Sequence, residues 1–211
     1  FYRNSGVHWF LNRSLLELAV LAAAEQPTTA SAEQGIIEAD QLRDLLKYEF
    51  FFPDRDTFHR QMLAELETVA PQWRQEAPTA LELLDRLTAS GFMMVHRTLR
   101  SFFDAQLVVA ERLVLREPGD LVDRKELVRE CVGVGRQMLL QNRLHSPESV
   151  SSELFNNAIK LADNRHLLGP GDEELRARRI EFAEDLLAIS ERITRAASLD
   201  PSNRRMFRGI R

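Results

Sequence analysis

Apolar positions recur at helical spacing along almost the whole chain. Near the C-terminus, Leu175, Phe182, Leu186, Ile189 and Ile193 follow one another at steps of seven, four, three and four, with Arg178, Glu181, Glu184 and Glu191 between them. That spacing lays one apolar stripe along a helix. Asp172 stands before it, Glu173 and Glu174 occupy its first turn, and Asp200-Pro201 closes it, as helix ends prefer. The same reading predicts helices over Val7–Glu25, Glu38–Phe51, a third reaching Val69, Thr79–Ser90, Thr98–Arg116, Leu121–Leu144 and Ser149–Asn164. PTTASAEQG reads as a loop, Pro53 as a stop, Asp54 or Asp56 as a cap, Gly91 as a C-terminal cap, and Ser146-Pro147 as a cap with its first helical residue. Phe92–Val95 fits a short strand or the first turn of the next helix. With no sustained alternating pattern, the expected fold is all-α: one irregular domain of about seven or eight helices over residues 1–211, with a possible sub-boundary near 70–78.

Composition narrows the function classes. A chain of 211 residues with 44 % hydrophobic content can bury a core. Its net charge of −4 gives no cationic field for nucleic acid, so none is expected as a partner. Cys131 is the only cysteine, which excludes an intrachain disulfide and a cysteine-built zinc site; it reads as a small core residue. The longest apolar run, Leu18–Ala24, is far short of the ~20 residues that span a bilayer. Starting at Phe1, the chain reads as a piece of a longer polypeptide.

Few residues offer chemistry of their own. The histidines, at 8, 59, 96, 145 and 166, never share the three- or four-residue spacing that sets two ligands on one helix face, so neither a metal nor a cofactor is expected. His96, Arg97 and Arg100 form a basic trio best read as a solvated face. Gly133-Val134-Gly135 lacks the strand and third glycine of a dinucleotide fingerprint, and reads as close helix packing. FFPDRDTF (51–58) reads as a helix break and cap. In the tail, Arg204, Arg205, Arg208 and Arg211 alternate with Met206, Phe207 and Ile210, the composition of a short element for an anionic lipid surface.

Several blocks, in order, resemble one family. FYRNSGVHWFLNRSLLELA, in which Tyr2, Arg3, Asn4, His8, Ser14 and Leu15 carry the match, is similar to a segment of the glycerol-3-phosphate acyltransferases of the PlsB type. LRDLLKYEFFF, with Lys47 and Glu49 at motif positions of structural character, resembles the next block. RTLRSFFDAQLVVAERL and the stretch from Leu127 to Leu168 resemble the last ones. The resemblance implies an enzyme that moves an acyl group from acyl-CoA or acyl carrier protein to the 1-hydroxyl of glycerol 3-phosphate, at the cytoplasmic face of the cell membrane. Family members use a His-x4-Asp pair, with His as general base. Here the fifth residues after the five histidines are Arg13, Ala64, Ser101, Val150 and Gly171, so the pair is absent. The resemblance therefore implies a noncatalytic helical C-terminal domain that supports an upstream catalytic domain. Tyr2, Arg3, Asn4 and His8 are expected to dock on that domain or meet a phosphate. The family's strand-bearing insert after Ser90-Gly91-Phe92 is missing, and beyond Gly171 the match loosens. A free-standing all-α ligand-binding regulator is the competing expectation; it fits poorly, because residues 1–50 hold no basic helix-turn-helix.

Overall fold

The computed structural model describes residues 6–26, 32–91 and 93–203. Among them are eleven helical segments, eight of seven residues or more, and no strand. In chain order these are α1 (Leu11–Ala24), α2 (Ala32–Leu46), α3 (Arg55–Val69), α4 (Trp73–Glu76), α5 (Ala80–Ala89), α6 (Val95–Thr98), α7 (Arg100–Val114), α8 (Arg124–Leu140), a 3-10 turn (Pro147–Ser149), α9 (Ser152–Asn164) and α10 (Glu173–Leu199). Contacts group them into two compact units. The first takes the chain up to Leu99 and again from Glu191; the second runs from Arg100 to Ser190, so α10 contributes residues to both. The stretch 70–78 lies inside the first unit and holds α4.

In the first unit α1 is the central helix. Eleven of its 14 residues are buried, polar Ser14 and Glu17 included, and a helix apolar on nearly every side needs cover all round. α2, α3, α5 and α6 supply it. Asp54 caps α3, its carboxylate accepting the Thr57 amide at 2.9 Å. Thr79 and Glu82 cap α5 reciprocally, the Thr79 amide reaching Glu82 Oε2 at 2.7 Å. Gly91, at φ +103°, then turns the chain through the left-handed region.

Several boundaries differ from the sequence reading, each for a local reason. α2 begins at Ala32 rather than Glu38 because Ala-Glu-Gln favours helix over the loop that the preceding Pro-Thr-Thr run suggests. It ends at Leu46 rather than Phe51, because the Glu49 and Phe50 amides both turn back to the Leu46 carbonyl, at 2.9 and 3.0 Å. Of Phe92–Val95, Val95 opens the short α6, and Phe92 lies outside the described residues.

The second unit is built on α7, whose Phe102, Phe103, Ala105 and Leu107–Ala110 are buried against α8 and α9. Asp123 accepts the Glu126 amide at 2.8 Å, so α8 starts at Arg124 and not at Leu121, which is 81 % exposed. Asn142 and His166 take left-handed conformations, φ 57° and 56°. After them the Arg143 and Leu167 amides reach back to the Met138 and Ala162 carbonyls, both at 2.9 Å, ending α8 and α9 in the usual C-terminal manner. His166 is thus a helix-ending residue.

Candidate functional site

The buried polar residues of each unit hold its joints. On α1, Glu17 is wholly enclosed, and its carboxylate accepts the amides of Met94 at 2.8 Å and Val95 at 2.9 Å, and Arg13 Nε at 3.0 Å. Arg13 also donates to Ser90 Oγ at 2.9 Å. Two residues one helix turn apart, Arg13 and Glu17, thereby fix the chain from Ser90 to Val95. Ser14, a residue of the first family-like block, shares a 2.6 Å hydrogen bond with Thr98. Burial raises the Glu17 carboxyl above its ordinary value, against the opposing hydrogen bonds from Val95, Arg13 and Met94. The carboxylate's three donors are what make its burial tolerable.

A second joint sits beyond the last helix. Asp200, wholly enclosed, accepts the Ser202 amide at 3.0 Å and Arg97 Nη2 at 3.2 Å, and lies 3.4 Å from His96 Nε2. Burial pushes its carboxyl up, but Ser202, Arg97 and His96 together hold it below the usual aspartate range. His96, largely buried, and Arg97, which stays half exposed, are therefore partners of a buried acid. In the second unit Arg100, also read as solvated, is buried, with Nη1 3.1 Å from His145 Nδ1. Ser149 Oγ donates to the buried Asp104 at 3.0 Å. Burial pushes Asp104 up, with Ser149 and Arg100 opposing, and pushes Arg100 down. Arg179, 1 % exposed, donates to the carbonyls of Leu167 at 2.9 Å and Arg116 at 3.3 Å, so one guanidinium closes the chain ends that follow α9 and α7.

The candidate residues scatter. His8 is exposed just ahead of α1. Lys47 is exposed, with Nζ 5.7 Å from the Tyr48 ring, and Glu49 is half-buried in the turn that ends α2. Tyr2, Arg3 and Asn4 lie outside the described residues, as do Arg204, Arg205, Phe207, Arg208 and Arg211. Histidine–carboxylate contacts do occur, His59 to Asp40 at 2.7 Å and His96 to Asp200, at separations that a five-residue scan does not reach. Neither makes a nucleophile-activating set. The Ser149 hydroxyl donates to the Asp104 carboxylate, but both residues are buried, so the pair is closed to a substrate. Cys131 is buried and its thiol is pushed up to about 12, chiefly by burial, so it is inert. Among the described residues no cluster of three or more His, Cys, Asp or Glu is placed to hold a metal.

The model for the glycerol-3-phosphate acyltransferase C-terminal region matches residues 1–171. The chain belongs to this family. Its curated relatives include proteins of Mycobacterium bovis and of two strains of Mycobacterium tuberculosis that carry the provisional name acyltransferase plsB1. Each is 37 % identical over 203 residues, covering 94 % of this chain and 32 % of the relative. The chain thus spans about a third of the length of those relatives. No solved structure gives a match. The family match stops at Gly171, just ahead of α10, where the sequence resemblance also loosens. Sequence reasoning missed Glu17 and misplaced Arg100 on a solvated face. A charged residue inside an apolar run, Glu17 in SLLELAVLAAA, was the available signal.

Proposed function

We propose that residues 1–211 are the noncatalytic C-terminal portion of a glycerol-3-phosphate 1-O-acyltransferase. The whole polypeptide takes an acyl group from acyl-CoA or acyl carrier protein and delivers it to the 1-hydroxyl of glycerol 3-phosphate. The family match over residues 1–171 carries this reading, and the relatives' greater length supports a catalytic portion elsewhere in the polypeptide. No histidine here is followed at the fifth position by aspartate, which supports a general base outside this chain.

In this reading the helical chain is a support. Its enclosed ion pairs end helices and fix loops. Tyr2, Arg3, Asn4 and His8 stand where the chain meets the catalytic portion. The basic tail, Arg204, Arg205, Phe207, Arg208 and Arg211, holds the enzyme peripherally on the anionic cytoplasmic face of the membrane; no described helix is long and apolar enough to cross it. The test is acyl transfer to labelled glycerol 3-phosphate by the longer polypeptide, with and without residues 1–211. Transfer that depends on these residues is expected. A longer polypeptide that acylates equally well without them, or never, removes the reading.

A further inference from the structure

Between the chain that leaves α9 and one face of α10, the second unit carries a pocket of about 280 Å³, lined by Arg165, Leu167, Arg178, Glu181, Phe182 and Asp185. That volume is near the lower end of the ~300–1,000 Å³ range of small-molecule sites. Leu167 and Phe182 are buried and supply the apolar part of the lining. Arg165, half-buried, holds its guanidinium carbon 5.1 Å from the centre of the Phe182 ring, which leaves that ring no open face. Arg178, Glu181 and Asp185 are exposed. With Phe182 they occupy positions i, i+3, i+4 and i+7 of α10, so they share one side of the helix, and Arg178 and Asp185 stand about 10 Å apart along it. Among the described residues the side chains of Arg165, Arg178 and Glu181 make no hydrogen bond or ion pair, with one another or with a neighbour; Arg165 has only its ring contact. Opposite charges that line one pocket without pairing leave their bonding capacity to a ligand.

The charges select the class of ligand. The lining holds two cations and two anions. Flanking groups leave that balance near neutral: Glu174 and Glu184 of α10 are offset in part by Arg179, and Asp163 pairs with Arg124 at 2.7 Å. A lone anion or a lone cation meets repulsion from half of this lining, whereas a compact molecule that carries both charges pairs with all of it. Guanidiniums suit the oxygens of a phosphate, which they grip through paired N–H donors. Carboxylates suit a primary ammonium with its three donors. A quaternary ammonium calls for open aromatic faces, and a nucleobase for one to stack on; the covered Phe182 ring offers neither. We infer that this pocket binds a phosphate ester of an amino alcohol, of the phosphoethanolamine class, with the phosphate at Arg165 and Arg178 and the ammonium at Glu181 beside Asp185. A soluble ester and a phospholipid headgroup share that chemistry. The family match ends at Gly171, before the helix that supplies four of the six lining residues, so the inference stands apart from the acyl-transfer reading.

The experiment titrates the longer polypeptide calorimetrically with phosphoethanolamine, phosphocholine and inorganic phosphate, with glycerol 3-phosphate kept saturating so that an acceptor site elsewhere stays filled. The variants are Arg178→Glu and Glu181→Lys, both exposed and unpaired, so the fold is expected to survive; Arg136→Glu, on an exposed arginine of α8 outside the pocket, is the control. Phosphoethanolamine is expected to bind about tenfold or more tightly than phosphocholine or phosphate. Arg178→Glu and Glu181→Lys should each weaken it by about tenfold or more, the weight of one charge-assisted contact, and Arg136→Glu should leave it unchanged. Flotation with phosphatidylcholine vesicles, with and without phosphatidylethanolamine, identifies the source. Flotation that needs both phosphatidylethanolamine and Arg178 assigns the pocket to the headgroup, and binding of the free ester without such flotation assigns it to a soluble molecule. Absence of both, binding of phosphate or phosphocholine as tight as that of phosphoethanolamine, full binding by Arg178→Glu, or an equal loss in Arg136→Glu overturns the inference.

Discussion

Two glycines of α8, two residues apart, should respond oppositely to the same change. Gly133 is exposed and a Cβ built there meets nothing within 4 Å; at Gly135 it lies 3.1 and 3.3 Å from the Val150 methyls and 3.3 Å from Phe155 Cζ. Alanine in a helix interior is favoured over glycine by about 0.8–1 kcal/mol, so Gly133→Ala should stabilise the protein by that amount. Gly135→Ala receives the same gain, but it drives a methyl into a stiff β-branched side chain and a fully buried ring. Overpacking of this kind costs about 1–3 kcal/mol. The net effect runs from near zero to about 2 kcal/mol of destabilisation, and the two variants should differ by roughly 1–3 kcal/mol. Urea unfolding followed by helical circular dichroism reads this as a shift of midpoint at constant slope. Adding Val150→Ala to Gly135→Ala should recover stability relative to the two single effects summed, as contacting sites do. Gly135→Ala stabilising the protein as much as Gly133→Ala would refute the reasoning, because α8 would then have room against Val150 and Phe155.

Other joints give further expectations. Glu17→Ala removes the acceptor of the Met94 and Val95 amides and leaves Arg13 without its ion pair, a loss of about 3–5 kcal/mol measurable by the same unfolding assay. Burial raises Asp104 above its ordinary 3.8. The native state therefore holds that proton more tightly than the unfolded chain, and Asp104 favours folding fully below 3.8 and progressively less as pH rises through its folded value. The stability of the wild type relative to Asp104→Asn should accordingly fall across that window, whereas a difference that grows with pH would reverse the assignment. Asp200 is held below 3.8 and has the opposite sign: its stabilising share is present above 3.8 and lost as pH falls through its folded value. Asp200→Asn should flatten that acid limb of the stability curve. Gly35→Ala in α2, where a Cβ meets nothing within 4 Å, should stabilise by about 0.5–1 kcal/mol on thermal unfolding.

What the sequence made legible was periodic or chemical at short range. The apolar stripe of α10, the cap at Asp54, and the helix-breaking role of FFPDRDTF follow from residues within one turn of each other. The misread residues depend on distant partners. Arg97 and Arg100 look solvated beside His96 until Asp200, about a hundred positions on, and His145 supply their contacts. Glu17 needs the amides of Met94 and Val95. Gly133 and Gly135 read alike as packing glycines, and only the position of Val150 separates them. Spacing also hid the contacts of His59 with Asp40 and of His96 with Asp200, though neither forms a catalytic set. The division into two units was equally out of reach, since it depends on the chain returning to its first unit at Glu191.

The central claim is that these helices serve an acyltransferase without performing its chemistry. Purified residues 1–211, incubated with acyl-CoA or acylated carrier protein and labelled glycerol 3-phosphate, are predicted to form no acylated product above the uncatalysed background. Turnover by the isolated chain would contradict the account.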